Sequence, residues 1–304
     1  MIVLNSLFPI FVLLLCGHLL RRWGLTDTVF LQTADRLIYY FFFPVMLFWK
    51  IGGASLEHGI DWHFCLAVIF ALVIIFLLST LLLKLFGIGA FQSGSFSQGC
   101  YRFNTYIGVA VILNSLGIEG VQYYGIAIAF AIPLVNLFAV STLIWFSGQE
   151  IGAEKRLRII GRALLSNPLI LGCFAGILYA QLVGDFPVFI DNSLSLTSMV
   201  ALPLALISIG GTLSFAGLRG NLPLASLAAL VKLVALPLVG ALSLWLFGVE
   251  GLPFKVGMLF FALPVSTAIY VLSSQMHSDT QLASAIVVLS TFCSFLSLSL
   301  VLLL

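Results

Sequence analysis

Charged residues are scarce in this chain of 304 amino acids. Lys, Arg, Asp and Glu together make up 8% of it, whereas hydrophobic residues make up 62%. Soluble globular chains are about a quarter charged, so water cannot be the solvent for most of this surface. The scarcity excludes an ordinary water-exposed fold and indicates a protein whose main solvent is the lipid bilayer.

Cysteine is also rare, and catalytic motifs are missing. The 5 cysteines are an odd number scattered along apolar segments, which argues against a disulfide framework. The chain lacks His-Glu-x-x-His, Gly-x-Gly-Asp and Gly-x-Ser-x-Gly, so intramembrane protease or hydrolase chemistry has no residues to use. A loop cluster of Glu57, His58, Asp61 and His63 could bind a metal, but a solvated polar loop is the better interpretation. We therefore predict no enzyme, no cofactor and no metal site.

Long apolar runs are what the chain has in abundance. Most of them reach the roughly 20 residues that a helix needs to cross the hydrocarbon core. The weakest run, 95–116, carries Gln98, Arg102, Asn104 and Asn114. We predict an all-α integral membrane protein with ten transmembrane helices, numbered as spans 1 to 10: 2–20, 37–51, 64–86, 95–116, 123–146, 163–183, 194–215, 222–247, 254–272 and 282–304.

Basic residues indicate how these spans are oriented. No Lys or Arg precedes span 1, whereas Arg21 and Arg22 follow it, so span 1 is a retained helix rather than a signal peptide. With both termini outside, only Lys50 and Lys255 fall in outer loops, and Lys232 lies within span 8. The predicted cytoplasmic loops hold Arg21, Arg22, Arg36, Lys84, Arg102, Lys155, Arg156, Arg158, Arg162 and Arg219. The net charge of +2 thus reports orientation and gives no sign of nucleic-acid binding.

An internal repeat is visible at a constant offset of 159 positions. Pairs of identical residues at this offset are Pro9 and Pro168, Gly17 and Gly176, Pro44 and Pro203, and Gly52 and Gly211. The offset predicts two five-helix repeats, 1–146 and 163–304, joined by a short cytoplasmic linker at 147–162. Because five is odd, the second repeat is inverted. Inverted repeats are typical of secondary transporters, whereas a channel or a structural scaffold does not account for them.

Two spans are predicted to break near the middle of the membrane. Asn104 and Thr105 stand about ten residues into span 4, and in the repeat register span 9 carries Pro264 there. Pro264 should end the first half of its helix at about Leu263 and suits the first position of a second half. Asn104 is a good N-cap for the equivalent restart. The amino ends of two half-helices then converge, and their free N–H groups can hold an anion.

Side chains around these breaks supply the candidate site. Asn104 adds an amide donor, and Ser266 and Thr267 add hydroxyls. Arg102 lies just cytoplasmic of the break, where it either steers anions or snorkels to the interface. Lys232 either pairs with a carbonyl at a helix break, neutralises the anion, or snorkels.

Four stretches of the chain resemble the auxin efflux carrier family, whose bacterial members are similar to the plant PIN transporters: 102–108, 202–211, 232–237 and 262–267. The resemblance implies a fold like that of the sodium/bile acid symporters. Spans 1, 2, 6 and 7 then form a scaffold that dimerises, spans 3 to 5 and 8 to 10 form a transport domain that moves as an elevator, and spans 4 and 9 cross at the substrate site. It also implies a location in the bacterial inner membrane.

The family resemblance assigns a role to individual residues. Asn104 matches the asparagine that contacts the substrate carboxylate in the family, and Ser208 lies in a matching stretch and is included among the substrate-binding residues. The residue before the asparagine is Phe103, where the plant carriers have proline, so the break in span 4 depends on Asn104. Gly172 and Gly176 in span 6 predict a close helix contact, which is a candidate for the homodimer interface.

The placement of acidic residues bears on the driving force. All 11 are expected in loops or at helix ends. A carboxylate proton relay inside the membrane is therefore not predicted, and outward movement of one negative charge gains roughly 2.3 kcal/mol per 100 mV. We predict a carrier for efflux of small organic anions driven by the membrane potential. The alternative is a sodium- or proton-coupled organic-acid symporter of the bile acid type, and dicarboxylates, other small carboxylates and aromatic acids all fit the site.

Overall fold

The fold is entirely helical over the residues that the structure describes. The computed structural model describes residues 2–53, 61–146, 167–214 and 217–303, and no strand occurs in these ranges. The predicted linker at 147–162 and its basic residues lie outside them. Six helical stretches of the described chain are long and apolar enough to cross a membrane, by length and composition. Large apolar side chains such as Phe8, Leu81 and Leu300 are exposed, as lipid-facing side chains are. The chain is therefore an all-α integral membrane protein.

The helices of the described residues are numbered in chain order. They are α1 (Ile2–Arg22), α2 (Thr28–Leu37), α3 (Phe43–Gly52), α4 (Trp62–Leu85), α5 (Ala90–Tyr101), α6 (Thr105–Phe146), α7 (Pro168–Leu182), α8 (Val188–Thr212), α9 (Leu218–Leu230), α10 (Leu236–Leu246), α11 (Gly251–Ala262), α12 (Ala268–Gln275) and α13 (Thr280–Leu302). Two π-helical segments, Ile38–Phe42 and Val231–Ala235, join α2 to α3 and α9 to α10.

Both π-helical segments come before a proline. Pro44 and Pro237 are the second residues of α3 and α10. A proline has no N–H, and its ring crowds the carbonyl four residues earlier, so the α-helical hydrogen-bond ladder cannot continue there. The chain accommodates this with one turn of wider hydrogen bonds and keeps its helical direction.

The helix that contains the second predicted span begins earlier than the sequence predicts. The prediction starts it at residue 37, but the helix already begins at Thr28 because Asp27 accepts a hydrogen bond of 2.6 Å from the N–H of Phe30. Its first ten residues are amphipathic, so an apolar run does not reveal them. The expectation that all acidic residues lie in loops or at helix ends is thereby wrong for Asp35, which lies inside α2 and accepts a hydrogen bond of 2.5 Å from the Ser208 hydroxyl.

Two compact units make up the chain, and neither is one half of the sequence. Unit 1 comprises Met1–Trp62, Val109–Ala129 and Leu165–Leu213, and unit 2 comprises His63–Gly108, Phe130–Leu164 and Ser214–Leu304. Helix α6 contributes to both, and its helical backbone is interrupted at Gly117, where φ is 71°. The 42 residues from Thr105 to Phe146 are therefore two helices joined at this glycine.

Glycines allow very close helix contacts within unit 1. A Cβ atom added to Gly17 of α1 would lie 2.0 Å from the carbonyl oxygen of Ile207 in α8. A Cβ on Gly172 of α7 would lie 2.7 Å from the carbonyl oxygen of Pro44 in α3. Small residues in membrane helices permit this approach of backbones. The close helix contact that Gly172 and Gly176 predict is thus made with α3 of the same chain.

We predict that Gly17→Ala destabilises the protein, because the added methyl group meets backbone atoms that cannot move aside. Overpacking of this kind costs about 1–3 kcal/mol. The measurement is thermal unfolding in detergent, where the variant should melt several degrees below wild type. Gly220→Ala is the control, since a Cβ there has no atom within 4 Å. Equal melting temperatures for the two variants would contradict the contact.

Candidate functional site

Two helices of unit 2 are interrupted at the places where the sequence predicts a break. Helix α5 ends at Tyr101, and α6 begins at Thr105 after three non-helical residues. Helix α11 ends at Ala262, and α12 begins at Ala268. We call these segments, 102–104 and 263–267, the first and second break.

The two breaks are joined directly to each other. The backbone N–H of Asn104 donates a hydrogen bond of 2.9 Å to the carbonyl oxygen of Pro264. Beside this bond, the ring of Phe103 packs on Phe260 with 4.4 Å between ring centroids. Asn104 is only 2% exposed. Phe103, which stands where the plant carriers have proline, therefore contributes an aromatic contact that holds the first break against the end of α11.

Asn104 caps α6, as the sequence predicts. Its side-chain oxygen Oδ1 accepts hydrogen bonds of 3.1 Å from the N–H groups of Tyr106 and Ile107. This fixes the orientation of the side-chain amide, because only one of its two polar atoms accepts. No hydrogen bond between described residues uses the other atom, Nδ2, which remains a donor for a ligand.

The second half of the other broken helix does not begin at Pro264, as predicted, but at Ala268. Tertiary hydrogen bonds explain the longer break. The N–H of Val265 donates to the hydroxyl of Ser290 at 3.1 Å, and the N–H of Ala268 donates to the hydroxyl of Ser266 at 3.2 Å. With these backbone groups satisfied, the chain can stay non-helical from Leu263 to Thr267 before α12 begins.

The expectation of free backbone N–H groups at the breaks is confirmed only in part. Asn104 occupies two N–H groups of the first turn of α6, and Ser266 occupies the first N–H of α12. The donors that remain are the backbone N–H groups of Ser266 and Thr267, which make no hydrogen bond with a described residue, together with Asn104 Nδ2 and the hydroxyls of Ser266 and Thr267. Ser266 and Thr267 are partly exposed, and the hydroxyl of Thr267 makes no hydrogen bond with a described residue. An anion here would be held by neutral donors near two helix amino ends.

Lys232 pairs with a helix end, which is one of its three predicted roles. Its side chain is fully buried, and its ammonium group Nζ donates to the carbonyl oxygen of Phe261 at 3.0 Å. The next carbonyl, that of Ala262, accepts from the hydroxyl of Ser297 at 2.9 Å. Lys232 therefore does not snorkel. It places a cation at the negative end of α11, beside the second break.

Arg102 is buried rather than interfacial, so the snorkelling alternative is wrong. Its guanidinium group donates to the side-chain oxygen of Asn136 in α6. The steering of anions by Arg102 stays a prediction. Of the remaining candidates, Thr105 is the partly exposed first residue of α6, whereas Ser208 belongs to unit 1, where its hydroxyl donates to Asp35.

The sequence analysis missed three partners of the breaks: Asn136, Ser290 and Ser297. A signal for two of them exists in α13, where hydroxyl residues at 290, 294 and 297 follow helical spacing and share one face. Such a stripe in an apolar helix indicates a partner with unsatisfied backbone groups. Asn136 is an amide in an otherwise apolar part of span 5, and only the fold shows that it meets Arg102.

Comparison with known proteins gives matches along nearly the whole chain. The sequence model of a family described as "Membrane transport protein" matches residues 2–302. An "Uncharacterized transporter" of Methanothermobacter thermautotrophicus is 26% identical over 301 residues, covering 97% of this chain and 96% of the relative. A protein of Rhizobium meliloti named "Putative malonate transporter" is 24% identical over 307 residues, covering 96% of this chain and 92% of the relative.

We predict that Lys232→Met loosens the second break, because it leaves the carbonyl of Phe261 buried without its donor. An unsatisfied buried group costs about 1–3 kcal/mol. Hydrogen exchange of the peptide that covers the end of α11 should become faster than in wild type. Lys255→Met is the control, since Lys255 is an exposed residue of the same helix. Unchanged exchange in Lys232→Met would show that the ammonium does not stabilise this helix end.

Proposed function

We propose, on the premise that this chain belongs to the Membrane transport protein family, that it is a secondary carrier of small organic anions. The family is one of transporters and not of enzymes, and the match over residues 2–302 confirms the resemblance to the auxin efflux carriers. The identity of the cargo and the driving force of transport are two separate questions for this chain. The geometry of the two breaks supports an answer to both.

One observation carries the proposal: two interrupted helices meet inside one compact unit, and the donors left there are neutral. The Asn104 to Pro264 hydrogen bond brings the breaks together. Asn104 Nδ2 and the Ser266 and Thr267 hydroxyls can each donate to a carboxylate oxygen. Discontinuous helices that point their amino ends at an anionic group are the recurring binding device of secondary transporters.

The ten-span inverted repeat is part of this proposal, and the paired breaks support it. Helices α5 and α11 each have 12 residues, and each ends at a break. From Ala90 to Gly251 there are 161 positions, close to the offset of 159 in the sequence. A glycine with positive φ precedes each helix, Gly87 at 56° and Gly248 at 66°. Two copies of one ancestral unit account for these parallels.

We assign unit 1 the role of scaffold and unit 2 the role of transport domain. Unit 2 contains both breaks and their supporting residues, as a body that carries its cargo should. Unit 1 contains α1 to α3, α7 and α8, which correspond to spans 1, 2, 6 and 7, together with Val109–Ala129. Elevator-type alternating access, a homodimer and termini outside the cytoplasmic membrane complete the proposal.

Small carboxylates are the substrate class that fits these donors. A relative in Rhizobium meliloti carries the name of a malonate transporter. Neutral amide and hydroxyl groups can donate hydrogen bonds to a carboxylate whatever the total charge of the molecule that carries it. Monocarboxylates and dicarboxylates can therefore both bind. Malonate is therefore the first compound to test.

The occupied carbonyls at the second break favour transport driven by the membrane potential. Sodium sites of broken helices use backbone carbonyls at half-helix ends. Here the carbonyls of Phe261, Ala262 and Pro264 already accept from Lys232, Ser297 and Asn104. In the described part of the chain, no three residues of His, Cys, Asp or Glu are grouped to hold a metal. The proton-coupled alternative has one candidate, Asp35, which lies inside α2.

We predict that Asn104→Ala and Asn104→Asp separate capping from binding. Asp caps a helix about as well as Asn, whereas Ala loses about 1 kcal/mol of capping. Asn104→Asp should therefore melt near wild type but lose the stabilisation that malonate confers, because the donor becomes an acceptor. Asn104→Ala should lose both. Thermal shift with and without malonate measures this, and stabilisation that survives in both variants would remove Asn104 from the site.

We predict that malonate efflux from proteoliposomes accelerates when the inside is made negative. Each charge that leaves gains about 2.3 kcal/mol per 100 mV. A potassium gradient with valinomycin sets the potential, and separate sodium and pH gradients serve as controls at zero potential. Flux that ignored the potential and followed either gradient would establish the coupled symporter instead.

A further inference from the structure

Unit 1 contains a cavity that the proposed carrier site does not use. Its volume is about 360 Å³, within the range of small-molecule sites. Most of its wall is apolar, including Pro9, Met46 and Leu206. All of its lining residues belong to unit 1, whereas both breaks belong to unit 2.

One cation lines this cavity, and no acidic side chain does. Lys50, in the last turn of α3, has its ammonium nitrogen 3.9 Å from the ring centroid of Trp49, which also lines the cavity. The nearby carboxylate of Asp191 instead accepts a hydrogen bond of 2.6 Å from the indole N–H of Trp49. The side chain of Lys50 makes no hydrogen bond and no ion pair at contact distance with a described residue, although the charge of Asp191 acts on it from farther away. Its three N–H donors are therefore available on one side of an apolar chamber.

Two further polar side chains line this cavity and have no hydrogen bond with a described residue. Asn114 of α6 and Ser195 of α8 contribute an amide and a hydroxyl. Neither makes a hydrogen bond with a described residue. An ammonium, an amide and a hydroxyl that line one mostly apolar cavity are suited to bind an amphipathic anion.

We propose that this cavity binds a small monocarboxylic acid with an apolar body, its carboxylate on Lys50 and its hydrocarbon part against Met46 and Leu206. A dicarboxylate fits less well, because the cavity offers one cation and an apolar floor that would have to desolvate the second charge. A diacyl lipid is too large for the volume. The site is independent of the breaks in unit 2 and acts as a second acid-binding site on the carrier.

The test uses hexanoate and the fluorescence of Trp49. The chain has five tryptophans, so Trp23, Trp62, Trp145 and Trp245 are replaced by Phe to leave Trp49 as the reporter. In phosphatidylcholine nanodiscs hexanoate should change this fluorescence in a saturable way. Lys50→Gln should weaken the response by about tenfold or more, the loss expected for one charge-assisted hydrogen bond. Lys50→Arg should keep most of it.

Lys84→Gln is the matched control, since it removes the same charge from an exposed position at the end of α4. If the Trp variant does not fold, calorimetric titration of hexanoate into wild type, Lys50→Gln and Lys84→Gln gives the same comparison. A response unchanged in Lys50→Gln overturns the proposal. So does a fluorescence change caused by phosphatidylglycerol nanodiscs that hexanoate does not reverse, because a lipid would then be the occupant.

The outcome is separable from that of the proposed function. Asn104→Ala should abolish malonate stabilisation but leave the response of Trp49 to hexanoate intact. Loss of the Trp49 response in Asn104→Ala would show that the two sites are one, which contradicts this inference. Malonate binding that persists in Asn104→Ala would contradict only the carrier site.

Discussion

The hydrogen bond between the Asn104 N–H and the Pro264 carbonyl is the interaction on which the candidate site depends. In hydrocarbon, each backbone N–H or C=O group without a hydrogen bond costs roughly several kcal/mol. A helix can therefore stop inside a membrane protein only where other residues form hydrogen bonds with its free backbone groups. At the two breaks the partner of one interrupted segment is the other. This hydrogen bond holds the two breaks against each other.

Side chains form hydrogen bonds with several of the backbone groups that the two breaks leave without a helical partner. Lys232 and Ser297 donate hydrogen bonds to the last carbonyls of α11. Ser290 accepts a hydrogen bond from the N–H of Val265 in the second break. These three residues come from α13 and from the π-helical segment before α10. The support for the ligand site is therefore distributed over helices that are far apart in sequence. The Lys232 nitrogen, although buried, has a hydrogen-bond partner at the carbonyl end of a helix.

Local sequence patterns correctly predicted where two helices break. They did not predict which residues surround and support these breaks. Asn and Pro affect the backbone at their own positions, so Asn104 and Pro264 could be identified without a fold. The start of α2 was misplaced, because a capped amphipathic turn does not appear as an apolar run. Snorkelling to the interface was one of the two roles predicted for Arg102, but its side chain is buried against Asn136, a partner 34 residues away that no local pattern indicates.

The amino-acid sequence by itself determined that the chain is a membrane protein, that it is helical, and where two of its helices end. Composition and single residues carry that information. Only the tertiary structure decided that the two breaks meet, that Ser266 and Asn104 take up some of the N–H groups expected to be free, and that Lys232 lies against the carbonyl of Phe261. The physical reason is that a hydrogen bond between distant segments depends on their packing, which a linear pattern does not specify.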